Sequence, residues 1–481
     1  MNSKENLKSL WNGYSGYQVY AITNSTIDST TELIEEAGHK IIYMNDLEKR
    51  KQVYGICGEC NEPGTGLVWC QPCNAKRFKD NFKNWTSGNK DIDEFIQQSQ
   101  LNAVHYSKKL EWIPFENFKD ITYITRGGFG KIYSAKWPEG YIDSWDIVNQ
   151  KWHRYSINIK VALKSLDNSS CLSTEFLNEI KSHLQFYHYY VIQCYGITQD
   201  PNTKDYMMVL EYCEYGNLRN YLNKSKNYIN YFSKIRNLMK IARGLLDIHN
   251  AGKIHKDFHS GNILYNFHGH PYISDLGMCQ PANNEKQLVK QEGIYGVLPY
   301  MAPEVLRGYQ YTKASDIYSF GIMMNEYISE ETPYNNIPHN HALAIKICKG
   351  LRPNIFKYTP KLLSDLITKC WDAKAENRPT AKELYQTLNK LYKCENDSDT
   401  ESQVNEYNDK IKLNRTSEKR TKNIQTHPQA IYTSRLLNFK NLPEPVNSGA
   451  IQSTLFSEGF DCQLDESDLN EMNQDDENNI E

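Results

Sequence analysis

The chain has 481 residues, a formal net charge of −3, 39% hydrophobic and 23% charged residues. That balance argues against general binding to nucleic acid or to an anionic membrane surface, and the longest apolar runs fall far short of the ~20 residues a membrane helix needs. The start, Met1-Asn-Ser-Lys-Glu-Asn6, lacks the apolar core of a signal peptide, so the Cys residues are expected as reduced thiols or metal ligands in a cytoplasmic, or nuclear, setting.

Residues 1–50 are polar and mixed, with one short helix expected over Thr30–Ala37. Residues 51–110 hold a Cys-rich module and a linker helix. Cys57-Gly-Glu-Cys60 and Cys70-Gln-Pro-Cys73 are paired C-x-x-C turns. Each turn points two thiolates at one ion, and two turns complete a tetrahedral Zn²⁺ site with no open position, so a structural role is expected. Free thiols or a redox pair are the alternative. Lys76, Arg77, Lys79 and Lys83 read as a solvated basic helix rather than a nucleic-acid surface. Further on, Ile92, Phe95 and Ile96 share one face of an amphipathic helix that has Asp91, Asp93 and Glu94 near its start.

From 115 to 391 apolar strands alternate with helical periods. Ile124-Thr-Arg-Gly127-Gly128-Phe-Gly130-Lys-Ile132 reads as strand, glycine loop, strand. Such a loop lets backbone amides approach phosphate oxygens, but alone it is as well read as a hairpin turn. Residues 137–160 form an insertion with Trp145 and Trp152, read as a longer hairpin or lobe-edge loop. Val161-Ala-Leu-Lys164 ends a β-type run, and a helix follows with Glu175 and Glu179. Met208-Val-Leu-Glu211-Tyr-Cys213 is a further apolar strand. Ile254-His-Lys-Asp257-Phe-His-Ser-Gly-Asn262 and Ile273-Ser-Asp275-Leu-Gly277 come next, then Ala302-Pro-Glu304, Ser315-Asp316-Ile-Tyr-Ser-Phe-Gly321 and Arg378.

In this order these motifs resemble the protein kinase superfamily, and their details resemble its tyrosine-kinase-like group. The resemblance implies an α+β, bilobal kinase fold with a β-rich small lobe and a mainly α large lobe. It implies ATP and Mg²⁺ as cofactors and proteins as substrates, with Ser/Thr acceptors favoured over Tyr and a role in intracellular signalling. Lys164 would contact the α- and β-phosphates and pair with Glu179, with Glu175 as the fallback. Gly127, Gly128, Gly130 and Ile132 would cover the nucleotide, and Glu211 and Cys213 would offer backbone groups to adenine. Asp257 would be the catalytic base, and Asn262 and Asp275 the magnesium ligands. Glu304 would pair with Arg378, and Asp316 would tie down the catalytic loop.

Four residues depart from the pattern: Thr125 at the first loop glycine, Lys256 for Arg, His259, and Leu276 for Phe. They keep open the alternative of a pseudokinase scaffold. Between Met278 and Pro299 there is no Ser or Thr, and Tyr295 is the sole hydroxyl. Control by Ser/Thr phosphorylation of that loop is therefore not expected. Residues 395–481 read as a mostly disordered tail. Gln463–Glu481 is acidic without Lys or Arg, whereas Ala430–Phe439 keeps enough apolar content to dock.

Overall fold

The computed structural model describes residues 11, 20–22, 41–127, 130–155, 157–166, 173–186, 190–224, 228–282, 293–393, 398–416 and 426–447. The expected helix Thr30–Ala37, Gly128 and the acidic stretch Gln463–Glu481 lie outside the described residues.

Of the helices that precede the main body, two bear on the site. Helix α1 (Gln71–Asn81) begins on Cys70 and carries Pro72 in its first turn, where a missing N–H costs nothing. Helix α2 (Lys90–Leu101) is capped by the Asn89 side chain, which accepts from the Asp91 and Ile92 amides. Its Ile92 and Ile96 are fully buried, so the apolar face read from the sequence is the packing face.

The small lobe is a six-stranded sheet. Its strands are β1 (Glu111–Trp112), β2 (Lys119–Arg126), β3 (Gly130–Trp137), β6 (Ile159–Leu166), β7 (Cys194–Gln199) and β8 (Tyr206–Glu211), in the spatial order β1-β7-β8-β6-β3-β2. Between β3 and β6 lies a separate hairpin, β4 (Tyr141–Asp146) and β5 (Lys151–Tyr155), which is the form the 137–160 insertion takes. Alternation along β6 sorts its side chains. Val161 and Leu163 enter one apolar cluster with Met207 and Val209. Ala162 and Leu166 face the other, with Phe176 and Ile180 of helix α3 (Thr174–Gln185) and Ile92 and Ile96 of α2. Lys164 shares the parity of the second set, so the register turns its ammonium toward α3.

The insertion hairpin also holds the Cys module. Trp152 stacks on Phe78 of α1 with centroids 4.5 Å apart and lies 6.2 Å from Trp69. The Arg77 guanidinium sits 4.4 Å from the Trp145 ring. The module is thus seated on the small lobe.

The large lobe packs around α4 (Tyr231–Asn250) and α5 (Lys313–Ser329), both almost wholly buried. The tail differs from the sequence reading. Helix α6 (Ser398–Thr416) buries Val404, Tyr407 and Ile411 at i, i+3 and i+7 against the lobe. Lys234, fully buried, donates to the Tyr407 hydroxyl at 3.0 Å and to Glu330 at 2.8 Å, and Arg415 meets Glu330 at 2.6 Å. Residues 426–447 then run back across the lobe. Within them β10 (Arg435–Leu437) pairs antiparallel with β9 (Ile294–Gly296), in the register Ile294↔Leu437, Tyr295↔Leu436, Gly296↔Arg435. The residues expected to dock, Ala430–Phe439, do so. Composition concealed the order of 398–416, because a narrow apolar stripe in a polar segment is enough once a partner surface exists. Among the described residues no helix is long and apolar enough to cross a membrane.

Candidate active site

The site lies between the lobes. Lys164 Nζ sits 2.7 Å from Glu179 Oε1 and 2.8 Å from Asp275 Oδ1. Burial works against its charge, but the two carboxylates outweigh that and hold the ammonium well above the usual lysine range. Of the two candidate partners it is Glu179, buried at 2% exposure, that pairs with Lys164. α3 presents it because Ser173 caps the helix, accepting from Phe176 N at 3.2 Å, and because Phe176 and Ile180 anchor the same helix in the sheet core.

Lys164 is opposite Ile132 on β3 and Met208 on β8, so the loop, the lysine and the apolar strand meet by register. Gly127 donates its N–H to Gly130 O at 2.8 Å, closing the turn. Gly130 is fixed by a different need from phosphate approach alone: a Cβ there would lie 1.8 Å from the Ser165 carbonyl of β6. Thr125 stands within β2, paired with Ile132, so its side chain costs the turn nothing. The Glu211 N–H donates to Gln193 O at 2.9 Å and the Cys213 carbonyl accepts from Gly216 N at 3.0 Å, which leaves the other main-chain groups of these residues as the ones to consider for adenine.

The catalytic-loop motif forms a rigid knot. Asp316, 2% exposed, accepts from the amides of His255 at 2.8 Å and Lys256 at 3.0 Å and meets His249 Nε2 at 2.9 Å. This holds Lys256 at φ +70°, a left-handed conformation that costs free energy without such support. The Lys256 ammonium bonds Gln280 at 3.2 Å. Asn262 Nδ2 donates to the Asp257 carbonyl at 2.9 Å and to its Oδ2 at 3.2 Å. That orients the amide, leaving Asn262 Oδ1 as a hard oxygen donor, with the Asp275 carboxylate as another. Such a donor set suits Mg²⁺.

Asp257 is 4% exposed. Burial pushes its carboxyl up, but His259, the Ser434 hydroxyl and His255 together pull it down to about 2. His259 Nδ1 accepts from Gly261 N at 3.0 Å, so Nε2 carries the proton; it lies 3.5 Å from Asp257 Oδ2. His255 is fully buried against Ser274 O at 3.2 Å, a packing position. Leu276, 1% exposed, sits in the large-lobe core and supplies the apolar packing its position calls for. Arg378 grips Glu304 bidentately at 2.6 and 2.8 Å, anchoring the end of the activation segment.

Ser434 escaped the sequence reading. Its Oγ donates to Asp257 Oδ2 at 2.6 Å and lies 3.4 Å from His259 Nε2. The signal was the apolar island Ala430–Phe439 with a serine inside it, but nothing in a sequence says where such an island lands.

The four thiols of Cys57, Cys60, Cys70 and Cys73 lie within 4.8 Å of one another. Cys57 Sγ is 3.9 Å from Cys73 Sγ, and Cys60 Sγ is 3.6 Å from Cys70 Sγ. Zn–S bonds of about 2.3 Å in a tetrahedron put sulfurs about 3.8 Å apart, so the residues present fit the ion. The hydrogen bond with Cys70 pulls the Cys57 thiol down to about 5, against its burial, and pushes Cys70 up.

Among known proteins, the chain is 29% identical over 296 residues to the serine/threonine-protein kinase VIK of Arabidopsis thaliana, a match covering 59% of this chain and 63% of that protein. It is 28% identical over 238 residues to the serine/threonine/tyrosine-protein kinase HT1 of the same plant, covering 49% and 60%. It is 31% identical over 228 residues to the RGS domain-containing serine/threonine-protein kinase A of Dictyostelium discoideum, covering 46% and 19%. The chain therefore spans less than two thirds of each of these relatives. Residues 118–388, more than half of the chain, match the family described as protein tyrosine and serine/threonine kinase, and the chain belongs to that family.

Proposed function

We propose that this chain is an active protein kinase that transfers the γ-phosphate of ATP to Ser or Thr hydroxyls of proteins, in signalling. The observation that carries this is Lys164 bridging Glu179 and Asp275 at 2.7 and 2.8 Å, since the small-lobe helix and the metal-site carboxylate are both in place without rearrangement. The Ser/Thr preference is supported by relatives described as serine/threonine kinases.

The geometry supports the following roles. Lys164 holds the α- and β-phosphates, and Glu179 fixes the lysine. Gly127 and Gly130 cover the phosphates, Ile132 packs on the adenine, and Glu211 and Cys213 contribute main-chain groups to it. Asn262 and Asp275 hold Mg²⁺, which when bound neutralises charge on the transferring phosphoryl group. Asp257, ionised down to about pH 2, orients the acceptor hydroxyl and takes its proton late. A weakly basic carboxylate is adequate because the transition state is loose and demands little nucleophile activation. The Cys module holds structural Zn²⁺ and braces the small lobe through Trp152.

Transfer of labelled γ-phosphate to casein tests the proposal. Lys164→Met and Asp275→Asn are expected to lower transfer by at least about 10²-fold, because positioned charges supply most of the catalysis. Transfer by Asp275→Asn at the wild-type rate would remove the proposed metal ligand and with it this reading.

A further inference from the structure

We infer that Ser434 is a phosphate acceptor of the chain's own kinase site, modified within the same molecule, and that its phosphorylation unseats the tail from the acceptor groove. This rests on the kinase reading above and adds to it an acceptor and a mode of control.

The placement is specific on both sides of the serine. N-terminal to it, the Ile431 carbonyl is held by His339 Nδ1 at 2.8 Å, the Tyr432 hydroxyl donates to Pro333 O at 2.8 Å, and the Arg219 guanidinium lies 4.3 Å from the Tyr432 ring. C-terminal to it, Arg435–Leu437 adds as a strand to Ile294–Gly296, and Leu437 is buried at 7% exposure. At the serine itself, the Tyr295 hydroxyl donates to Ser434 O at 3.2 Å. Strand addition with side chains held on either side is the way an extended peptide is recognised. The segment therefore lies as a bound acceptor peptide would, with its hydroxyl 2.6 Å from the Asp257 carboxylate.

The step balances without any further reactant. A lone pair of Ser434 Oγ forms the new O–P bond to the γ-phosphorus of ATP. The bond from that phosphorus to the bridging oxygen of the β-phosphate breaks and ADP leaves. The hydroxyl proton passes to Asp257 and then to water. The product carries about −1.5 to −2 charges beside the Asp257 carboxylate, whose Oδ2 lies 2.6 Å from the serine oxygen. This like-charge contact opposes the docked state and frees the groove for other proteins. Before that step the tethered segment competes at an effective concentration that reaches millimolar values.

The test uses the full chain, dephosphorylated, with ATP and Mg²⁺, followed by peptide mass spectrometry. Expected is a phosphate on Ser434 that appears with a first-order rate unchanged over a hundredfold range of protein concentration, and that is absent in Ser434→Ala. Leu437→Asp is expected to slow Ser434 labelling and to raise transfer to casein on the order of tenfold, as a tethered competitor is released. Casein labelled while Ser434 stays bare overturns this inference and leaves the kinase reading standing. A Ser434 rate that rises with protein concentration also overturns it, by making the reaction intermolecular. No phosphate on any protein, in wild type or Leu437→Asp, overturns both.

Discussion

Ser434 Oγ and Asp257 Oδ2 are 2.6 Å apart although 177 residues separate them in the chain. The contact brings the tail into the candidate active site, and it sets how this chain is to be probed, because a segment of the protein itself lies against the Asp257 carboxylate.

The Lys164–Glu179 pair is buried and shared with Asp275. Glu179→Gln keeps the shape and removes the charge. It should lower kcat by about 10²-fold through loss of positioned charge, with the fold intact by circular dichroism. Steady-state kinetics with ATP varied checks this; an unchanged kcat contradicts it.

Arg378 is fully buried and its only carboxylate partner among the described residues is Glu304. Glu304→Ala strands a buried guanidinium, so a loss of about 3 kcal/mol is expected in denaturant unfolding. A loss under about 1 kcal/mol contradicts an anchoring role, since that is the range of a surface pair.

The pH dependence of transfer follows from Asp257. Its carboxyl is held at about 2, below the ordinary value of 3.8. A lowered carboxylate contributes stability above its unfolded value, and that contribution is lost only as pH falls from about 3.8 toward about 2. So kcat should show no limb from Asp257 between about pH 5 and 8. A limb in that window that moves in Asp257→Glu contradicts the assignment.

Chelation of the Cys module should be felt by the small lobe, because Trp152 stacks on Phe78 at 4.5 Å. Treatment with a zinc chelator is expected to release one equivalent of zinc by metal analysis, change tryptophan fluorescence and lower Tm by several degrees. Trp152→Ala should reproduce the drop in Tm with zinc retained. Zinc release without any shift in Tm contradicts the bracing role.

The parts of this account legible in the sequence are those carried by short motifs. Asp257 and Asn262 sit on one loop, and Lys164 and Glu179 follow a strand and a helix start, so the resemblance to the kinase motifs singles them out. Contacts made by surfaces were not legible. The insertion reads as a longer hairpin or a lobe-edge loop, but its landing on α1 depends on Trp152 meeting Phe78. The stripe Val404, Tyr407, Ile411 was outweighed by polar neighbours, and only the large-lobe surface makes it a helix face. Ser434 carries no local signature, because its importance comes from where β10 pairs.

The most direct test compares wild type, Leu437→Asp and Leu437→Asp/Asp257→Asn for transfer of labelled phosphate to casein, with phosphoamino-acid analysis of the product. The account predicts phosphoserine or phosphothreonine from wild type, more of it from Leu437→Asp, and a loss of at least about 10²-fold once Asp257→Asn is added. Equal labelling with and without the Asp257 carboxylate would contradict it.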